Sequence, residues 1–305
     1  MGQIKNPHKS MILTSFTADA LSLGVHWIYN IEKIKGIYGR VEGYIKPPKG
    51  SYHEGKEAGD FTHYGDQTLV LFESLAECSG FDVDDFSSRW KKLFENYRGY
   101  VDSATRETLE NLARGHEPLE SGSLSNDLAG ASRIAPVVFA YRDKEDELVY
   151  AARTQTKMTH NHPQVINAAE FFARVSFKVL RGTSPIQAVQ EVQQKRWKNT
   201  PIGEWVEKGL ATLDMVSEKA IRQFGQSCHI PQAFPSVIHL IGKYERSVKD
   251  ALIENVMAGG DSAARGMIVG MILGAYPAAS NLPEQWVEGL RKKQEILKNL
   301  EMMHS

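Results

Sequence analysis

Apolar residues recur at the spacing of an α-helix along most of the chain. In segment 165–179 the apolar side chains return every three or four residues, and charged side chains such as Glu170 and Lys178 mostly lie elsewhere. This pattern predicts an amphipathic helix with one face against a core. Comparable patterns occupy segments 11–23, 67–78, 86–94, 148–156, 186–197, 205–216, 248–257 and 267–276. Long alternating strand patterns are hard to find, so the sequence predicts an all-α fold.

Local signals mark one helix boundary and one close packing contact. Ser184 and Pro185 suit the N-cap and the first position of a helix. Gly266, Gly270 and Gly274 recur every four residues within one helical pattern. Because glycine weakens a helix, this stripe indicates that another backbone approaches closely and compensates.

The chain shows no internal division. No linker rich in Pro, Gly or Ser, no long repeat and no low-complexity tract appears, so we expect a single domain covering 1–305. Segments 36–65 and 115–130 are predicted to be long loops. Long loops in compact domains are often functional, and the first is dense in polar and aromatic residues.

Charge and cysteine content narrow the class of protein. The chain carries 36 basic and 37 acidic side chains, a formal net charge of −1, which argues against binding nucleic acid. Cys78 and Cys228 show no disulfide or zinc spacing, which fits a reducing compartment. No export signal is visible, and the least charged long segment, 266–281, is too short to cross a membrane. We expect a cytoplasmic protein; its oligomeric state stays open.

Two acidic residues, Asp66 and Asp261, stand just before predicted helices. Each fits a helix N-cap, because a carboxylate accepts free backbone N–H groups there. If the two converge, they fit a site that holds Mg²⁺ or positions a water molecule. Both interpretations remain open from spacing alone.

Further candidate residues surround these acids in sequence. His26 suits a general base, and Arg265 suits either a bidentate phosphate ligand or an i, i+4 partner of Asp261. Trp27 and Tyr64 are typical of ring stacking or of core packing. His160 suits a structural or substrate-contact role, and Asn126 belongs to a polar turn that suits either turn formation or phosphate binding.

Five short motifs follow an order that resembles the ADP-ribosylglycohydrolase family. They are Ala18-Asp19-Ala20-Leu21, Gly65-Asp66-Gln67-Thr68, Ala131-Ser132-Arg133-Ile134-Ala135-Pro136, Thr159-His160-Asn161-His162-Pro163 and Gly259-Gly260-Asp261. The resemblance implies an all-helical bundle that hydrolyses an N- or O-glycosidic bond of ADP-ribose in a small-molecule or ADP-ribosylated substrate. It also implies two Mg²⁺ ions held between two acidic turns, with Asp66 and Asp261 as ligands.

The chain departs from the family's metal turns. Gly65 and Gln67 replace a threonine and an aspartate, Ala263 and Ala264 replace an aspartate and a threonine, and His26 stands about where a glutamate is usual. The altered turns predict a degenerate site with one weakly held Mg²⁺ at most, or none.

The same departures resemble the J-type crystallin branch of the family. The resemblance therefore leaves two functions open: an altered ADP-ribosyl hydrolase, or a catalytically silent protein that binds an ADP-ribose-like ligand or serves a crystallin-like structural role. For the hydrolase, the predicted catalytic residues are Asp66, Asp261 and His26. The predicted substrate contacts are Tyr64, Gln67, Trp27, Asn126, His160 and Arg265.

Overall fold

The computed structural model describes residues 6–279 and 281–303, so the outer ends of the expected domain lie outside the described residues. Within this part of the chain the regular elements are helices and no strand forms, which confirms the all-α prediction. The α-helices are α1 Pro7–Ser22, α2 Ile31–Tyr38, α3 His63–Glu77, α4 Val83–Glu95, α5 Ser103–Ala113, α6 Ala129–Ser132, α7 Ala135–Ala140, α8 Glu145–Thr159, α9 Pro163–Val179, α10 Pro185–Val192, α11 Pro201–Leu210, α12 Ser217–Phe224, α13 Ile230–Lys243, α14 Val248–Met257, α15 Ser262–Gly274, α16 Glu284–Glu288 and α17 Lys293–Met302. Short 3₁₀-helices cover Pro118–Glu120 and Pro277–Ala279, and a π-helix covers Gln193–Trp197.

The helix boundaries follow the local signals in some places and differ from them in others. The Ser184 side chain accepts the Gln187 N–H at the start of α10, as predicted. The pattern over 205–216 extends beyond its helix, because the Thr212 hydroxyl donates to the Gly209 carbonyl at 2.8 Å and satisfies part of the last turn. The pattern over 186–197 changes from α-helix to π-helix at Gln193.

Helices α1 and α15 pack closely against each other at the centre of the fold. A Cβ atom on Gly270 would lie 2.7 Å from the Thr14 carbonyl oxygen, and one on Gly274 would lie 2.8 Å from the Thr14 Cβ atom. The Ser15 hydroxyl also donates to the Met267 carbonyl at 3.1 Å. The predicted close approach is therefore confirmed: the glycines allow backbone contact that any larger residue would prevent.

Two hydrophobic clusters lie around this helix pair. The larger one draws on elements from Met11 in α1 to Leu300 in α17. The smaller one consists of Tyr64, Ala129, Ala263, Ala264 and Met267, with Trp27 packed against it. The smaller cluster brings the starts of α3, α6 and α15 together, and this junction carries the candidate site.

Both predicted loops are shorter than expected. Helix α2 continues to Tyr38 and α3 begins at His63, so the first loop is 39–62. The second is interrupted by the turn Pro118–Glu120 and by isolated β-bridges from Ser123 to His160 and from Asp127 to His229. Among the described helices, none combines the length and the apolar character that crossing a membrane requires.

Candidate active site

Asp261 occupies the N-cap of α15, as one interpretation of the sequence predicted. Its side chain accepts the Ala264 N–H, and Gly259 and Gly260 precede it with φ angles of 69° and 68°. A Cβ atom on Gly260 would lie 2.1 Å from the Gln226 carbonyl oxygen. Only glycine fits this left-handed, crowded turn, which fixes the carboxylate in the interior with no exposed surface.

His26 links Asp261 to a second histidine. Its Nε2 atom lies 2.8 Å from Asp261 Oδ1, and its Nδ1 atom lies 2.8 Å from His53 Nε2. Burial lowers the pKa of His26, against the opposing effect of the Asp261 carboxylate. A neutral His26 therefore donates one N–H to Asp261 and accepts the N–H of His53, which holds the Asp261 carboxylate in one orientation.

Asp127 and Cys228 complete a cluster with Asp261. One potential ligand atom from each residue lies within 4.8 Å of those from the other two. Two paired loops position the first two residues, since the Leu128 N–H donates to the Cys228 carbonyl at 3.0 Å and the Ile230 N–H donates to the Asn126 carbonyl at 2.9 Å. The chain thus joins two segments that are distant in sequence.

The electrostatics of this cluster are unusual. Burial, and then the negative charge of Asp261, raise the pKa of Asp127 well above its ordinary value. Burial also raises the pKa of the Cys228 thiol. The Oδ2 atom of Asp261 is buried and has no hydrogen-bond partner. The cluster therefore combines one carboxyl group in which burial favours the protonated form with a second acid that has an unused acceptor atom.

Aromatic side chains cover the cluster. The Trp27 ring stacks on His26 with centroids 4.2 Å apart, and it meets Tyr52 and Tyr100 edge-on at 5.0 and 5.1 Å. Trp27 has a φ of 64°, and its backbone N–H donates to the Gly260 carbonyl at 2.9 Å. The Tyr52 side chain is 57% exposed. This wall offers flat apolar surface to a ring-containing ligand beside the buried acids.

Tyr64 lies beneath this wall. Its side chain is buried, and its hydroxyl has no hydrogen-bond partner. Burial, and then the charges of Asp127 and Asp261, raise its pKa well above the ordinary value. A protonated hydroxyl with free capacity next to the acidic cluster is suited to contact a polar ligand atom.

Asp66 has a different environment. Helix α3 begins at His63 and its N-cap is Thr62, so the prediction that Asp66 precedes the helix is wrong. Asp66 Oδ2 lies 2.5 Å from Lys56 Nζ and 2.5 Å from the Tyr97 hydroxyl. Among the described residues, the cluster around Asp261 does not include Asp66. Spacing left open whether these two acids converge; in the structure each is held by its own partners.

The neighbouring Gln67 points into the protein interior. Its Oε1 atom accepts hydrogen bonds at 2.8 Å from both Trp90 Nε1 and Arg133, and its Nε2 atom donates to the His63 carbonyl at 3.0 Å. Gln67 is 2% exposed. Since these contacts use its amide on both sides, they favour a structural role over the predicted substrate contact.

Arg265 supports the turn that carries Asp261. Its guanidinium donates to Asn255 Oδ1 at 3.1 Å, to the Gly259 carbonyl at 2.5 Å and to the Gln226 carbonyl at 3.4 Å. Burial lowers its pKa to about 10, and the Asp261 charge partly offsets this effect. These contacts favour neither of the two predicted roles, the binding of a phosphate or an i, i+4 ion pair with Asp261. The side chain instead stabilises the glycine turn.

Asn126 and His160 flank the site in different ways. Asn126 is half-buried, and its Oδ1 atom lies 2.6 Å from His229 Nδ1 at the rim. His160 ends α8 and is buried, with its Nδ1 atom 3.0 Å from the Thr159 hydroxyl. Burial lowers the pKa of His160 to about 3. Asn126 remains a candidate ligand contact, whereas His160 packs against Gly130 in the interior.

A family comparison now identifies the architecture. The model of the family described as ADP-ribosylglycohydrolase matches residues 5–304. The chain belongs to the ADP-ribosylglycohydrolase family.

The relatives of this ADP-ribosylglycohydrolase-family chain include proteins named as hydrolases and proteins named as crystallins. An uncharacterized protein of Archaeoglobus fulgidus is 29% identical over 96% of this chain and 93% of its own length. Crystallin J1A of Tripedalia cystophora is 24% identical over 99% of this chain and 97% of its own. The ADP-ribosylhydrolase ARH3 of Homo sapiens is 23% identical over 82% of this chain and 80% of its own length. The predicted crystallin-like resemblance is confirmed.

A solved structure shares the ADP-ribosylglycohydrolase fold. The structure titled "ADP-ribosylglycohydrolase-related protein complex" matches with a TM-score of 0.76 at 22% identity. The match covers 100% of this chain and 99% of that chain. The helical bundle described above is therefore the family's fold.

The side chains at the first family turn do not fit Mg²⁺. Magnesium prefers near-octahedral oxygen coordination and usually keeps several waters. Asp66 Oδ2 is already bound to Lys56 and Tyr97, and the Thr68 hydroxyl donates to the Tyr64 carbonyl at 2.8 Å. A cation at Asp66 would have to displace a lysine at close range.

The second family turn offers Mg²⁺ equally little. Ala263 and Ala264 carry no ligand atom, and Asp261 Oδ1 is bound to His26. A cluster of metal-binding side chains is present, but it consists of Asp261 with Asp127 and a thiol. The residues therefore do not fit a magnesium centre built from Asp66 and Asp261.

Sequence reasoning overlooked several residues of this site. The sequence did not single out Asp127, and it treated Cys228 only as a cysteine without disulfide or zinc spacing. His63 was also missed, although its Nε2 atom lies 3.0 Å from Asp102 Oδ2. The one available signal was the position of Asp127 next to Asn126 in a polar turn, and this does not indicate a site alone.

Proposed function

We propose that this protein hydrolyses a ribosyl glycosidic bond of the ADP-ribosyl type, N- or O-linked, without a magnesium centre. Family membership and similarity to proteins named ADP-ribosylhydrolase support the reaction class. The observation that carries the proposal is the buried pair Asp127 and Asp261, whose carboxyl oxygens approach within 4.8 Å. Paired carboxyl groups in unequal environments are the usual machinery of glycoside hydrolysis.

Asp127 is the proposed general acid. Burial and the charge of Asp261 raise its pKa well above the ordinary value, which favours the protonated form that a general acid requires. It also accepts the Ala129 N–H at 2.9 Å, which fixes its orientation. The proton passes to the leaving nitrogen or oxygen as the glycosidic bond breaks.

Asp261 is the proposed nucleophile. The His26 contact occupies Oδ1, and Oδ2 is free to bond to the anomeric carbon. The short separation of the pair resembles the roughly 5–5.5 Å of double-displacement enzymes and leaves no room for an intervening water. Water then attacks the ribosyl ester, returns a proton to Asp127 and releases Asp261 as a carboxylate.

The remaining residues position these groups. His26, held between Asp261 and His53, orients the nucleophile, a role that replaces the general-base role first considered for it. Trp27 and Tyr64 supply the proposed ring and polar contacts to substrate. Asp66 was also predicted to be catalytic. Its contacts with Lys56 and Tyr97 favour a structural role, so it has no part in the proposed mechanism.

The test is an assay of ADP-ribosyl-arginine and ADP-ribosyl-serine hydrolysis, run with Mg²⁺ and with EDTA. We expect turnover that EDTA leaves unchanged, and a product that retains the anomeric configuration when it is followed by NMR. The proposal fails if neither substrate is cleaved. Inverted product would retain the reaction but overturn the nucleophile assignment.

A second candidate function is a catalytically silent protein. The observation in its favour is the similarity to Crystallin J1A over nearly all of both chains, together with the altered metal turns. Thermal unfolding with ADP-ribose separates the cases. A raised midpoint without turnover favours a ligand binder, and no shift favours a structural role.

A further inference from the structure

The thiol of Cys228 has no role in the proposed reaction, although it lies beside both acids. Its sulfur and one oxygen from each of Asp127 and Asp261 lie within 4.8 Å of one another. Cys228 is half-buried. The other cysteine, Cys78, is exposed and lies outside this cluster.

A second observation, at Asp261, also points to a bound cation. Asp261 has no exposed surface, and His26 occupies its Oδ1 atom. Its Oδ2 atom is buried without a hydrogen-bond partner. An unsatisfied buried carboxylate oxygen is costly, and a bound cation would compensate it.

The donor set selects the class of cation. One thiolate and two carboxylates favour Zn²⁺ or Co²⁺ over Mg²⁺, because sulfur is a soft ligand. Three protein ligands with one open position are typical of accessible zinc sites. Bond lengths of about 2.3 Å for Zn–S and about 2.0–2.2 Å for Zn–O place two ligands of one ion at most about 4.5 Å apart, which is close to the 4.8 Å limit within which the three atoms lie.

We propose that Asp127, Cys228 and Asp261 bind one Zn²⁺ ion. Binding forms one Zn–S and two Zn–O bonds and releases the protons of Cys228 and Asp127 to solvent, with no redox change. The binding claim goes beyond the proposed function. It is measured without substrate, so its failure and the failure of the hydrolase proposal are distinguishable.

The first test is cobalt spectroscopy on the metal-free full chain. Titration with Co²⁺ should produce a thiolate-to-cobalt charge-transfer band and tetrahedral visible bands, and Zn²⁺ but not Mg²⁺ should remove them. The Cys78→Ser variant should keep the charge-transfer band, and Cys228→Ser should lose it. A band that survives in Cys228→Ser, or that is absent from the wild type, overturns the proposal.

The second test needs no variant and therefore does not depend on the folding of Cys228→Ser. The wild-type chain is alkylated with iodoacetamide with and without Zn²⁺, and each cysteine is followed by peptide mass spectrometry. Zn²⁺ should abolish the modification of Cys228 and leave that of Cys78 unchanged. Equal rates at Cys228 with and without Zn²⁺ contradict the proposal, and protection of both cysteines shows nonspecific binding and also contradicts it.

Discussion

Asp66 and Asp261 are the two acids that the family motifs place in metal-binding turns, and their surroundings differ sharply. Asp66 Oδ2 contacts Lys56 and Tyr97, both at 2.5 Å, so a cation and a hydroxyl already satisfy it. Asp261 contacts the neutral ring of His26 and retains a buried oxygen without a partner. Residue type alone does not mark a site. An acid with an oxygen that lacks a hydrogen-bond partner is a better candidate for catalysis or ligand binding than an acid whose oxygen is already paired within the protein.

Exchanging each acid for its amide tests this comparison with the largest expected effect. Asp261→Asn should lower kcat/KM for ADP-ribosyl hydrolysis by about 10²–10⁴-fold, because the nucleophile is lost. The matched variant Asp66→Asn should keep activity within about tenfold, because only its contacts with Lys56 and Tyr97 change. Equal losses in the two variants would remove the distinction between the two acids.

Acid should destabilise the protein through the buried side chain of His160. The folded pKa of His160 is about 3, below its ordinary 6.5, so between these values the unfolded chain binds more protons than the folded one. The contribution of His160 to the free energy of unfolding is therefore complete above pH 6.5. It decreases by at most about 5 kcal/mol as the pH falls toward 3. Urea unfolding at stepped pH measures the slope, and His160→Gln should reduce it. An unchanged slope in that variant would contradict the assignment.

Two tyrosine hydroxyls should respond in opposite ways to deletion. Tyr97→Phe should destabilise the fold by about 1–3 kcal/mol, because Asp66 loses a hydrogen bond. Tyr64→Phe should leave the free energy of unfolding nearly unchanged or raise it, since its buried hydroxyl has no partner. Chemical denaturation of both variants checks this, and a larger loss in Tyr64→Phe would show that its hydroxyl is satisfied in solution.

The smallest expected effect is the salt dependence of the Lys56–Asp66 pair. Both side chains are partly accessible, at 14% and 18%, so Lys56→Met should cost only about 1 kcal/mol. The cost should shrink as ionic strength rises, because salt screens accessible charges. Denaturation in low and high salt measures it, with Asp66→Asn completing a double-mutant cycle. A cost that salt does not change would place the pair in a drier environment than its exposure indicates.

Features that depend on neighbouring residues were predictable. The Ser184 cap, the Asp261 cap and the glycine stripe of α15 all follow from local backbone requirements. The error at Asp66 concerns the helix start: Thr62 accepts the Tyr64 N–H as the N-cap, so the helix begins earlier and Asp66 lies inside the first turn.

The composition of the site was not predictable in the same way. Asp127 and Cys228 meet because two loops pair through backbone hydrogen bonds, and no spacing rule relates residues so distant in sequence. Burial then sets their chemistry, since it raises the pKa of both groups. The sequence also did not show that Gln67 would turn inward to Arg133 and Trp90.

The sequence by itself determined the helical class, the family and the turn that holds Asp261, because helix periodicity, caps and glycine turns act over a few residues. Only the tertiary structure decided which acid keeps a free oxygen, which acid is paired, and which thiol stands beside them. Those properties depend on burial and on partners contributed by distant segments, so they exist only once the helices have packed.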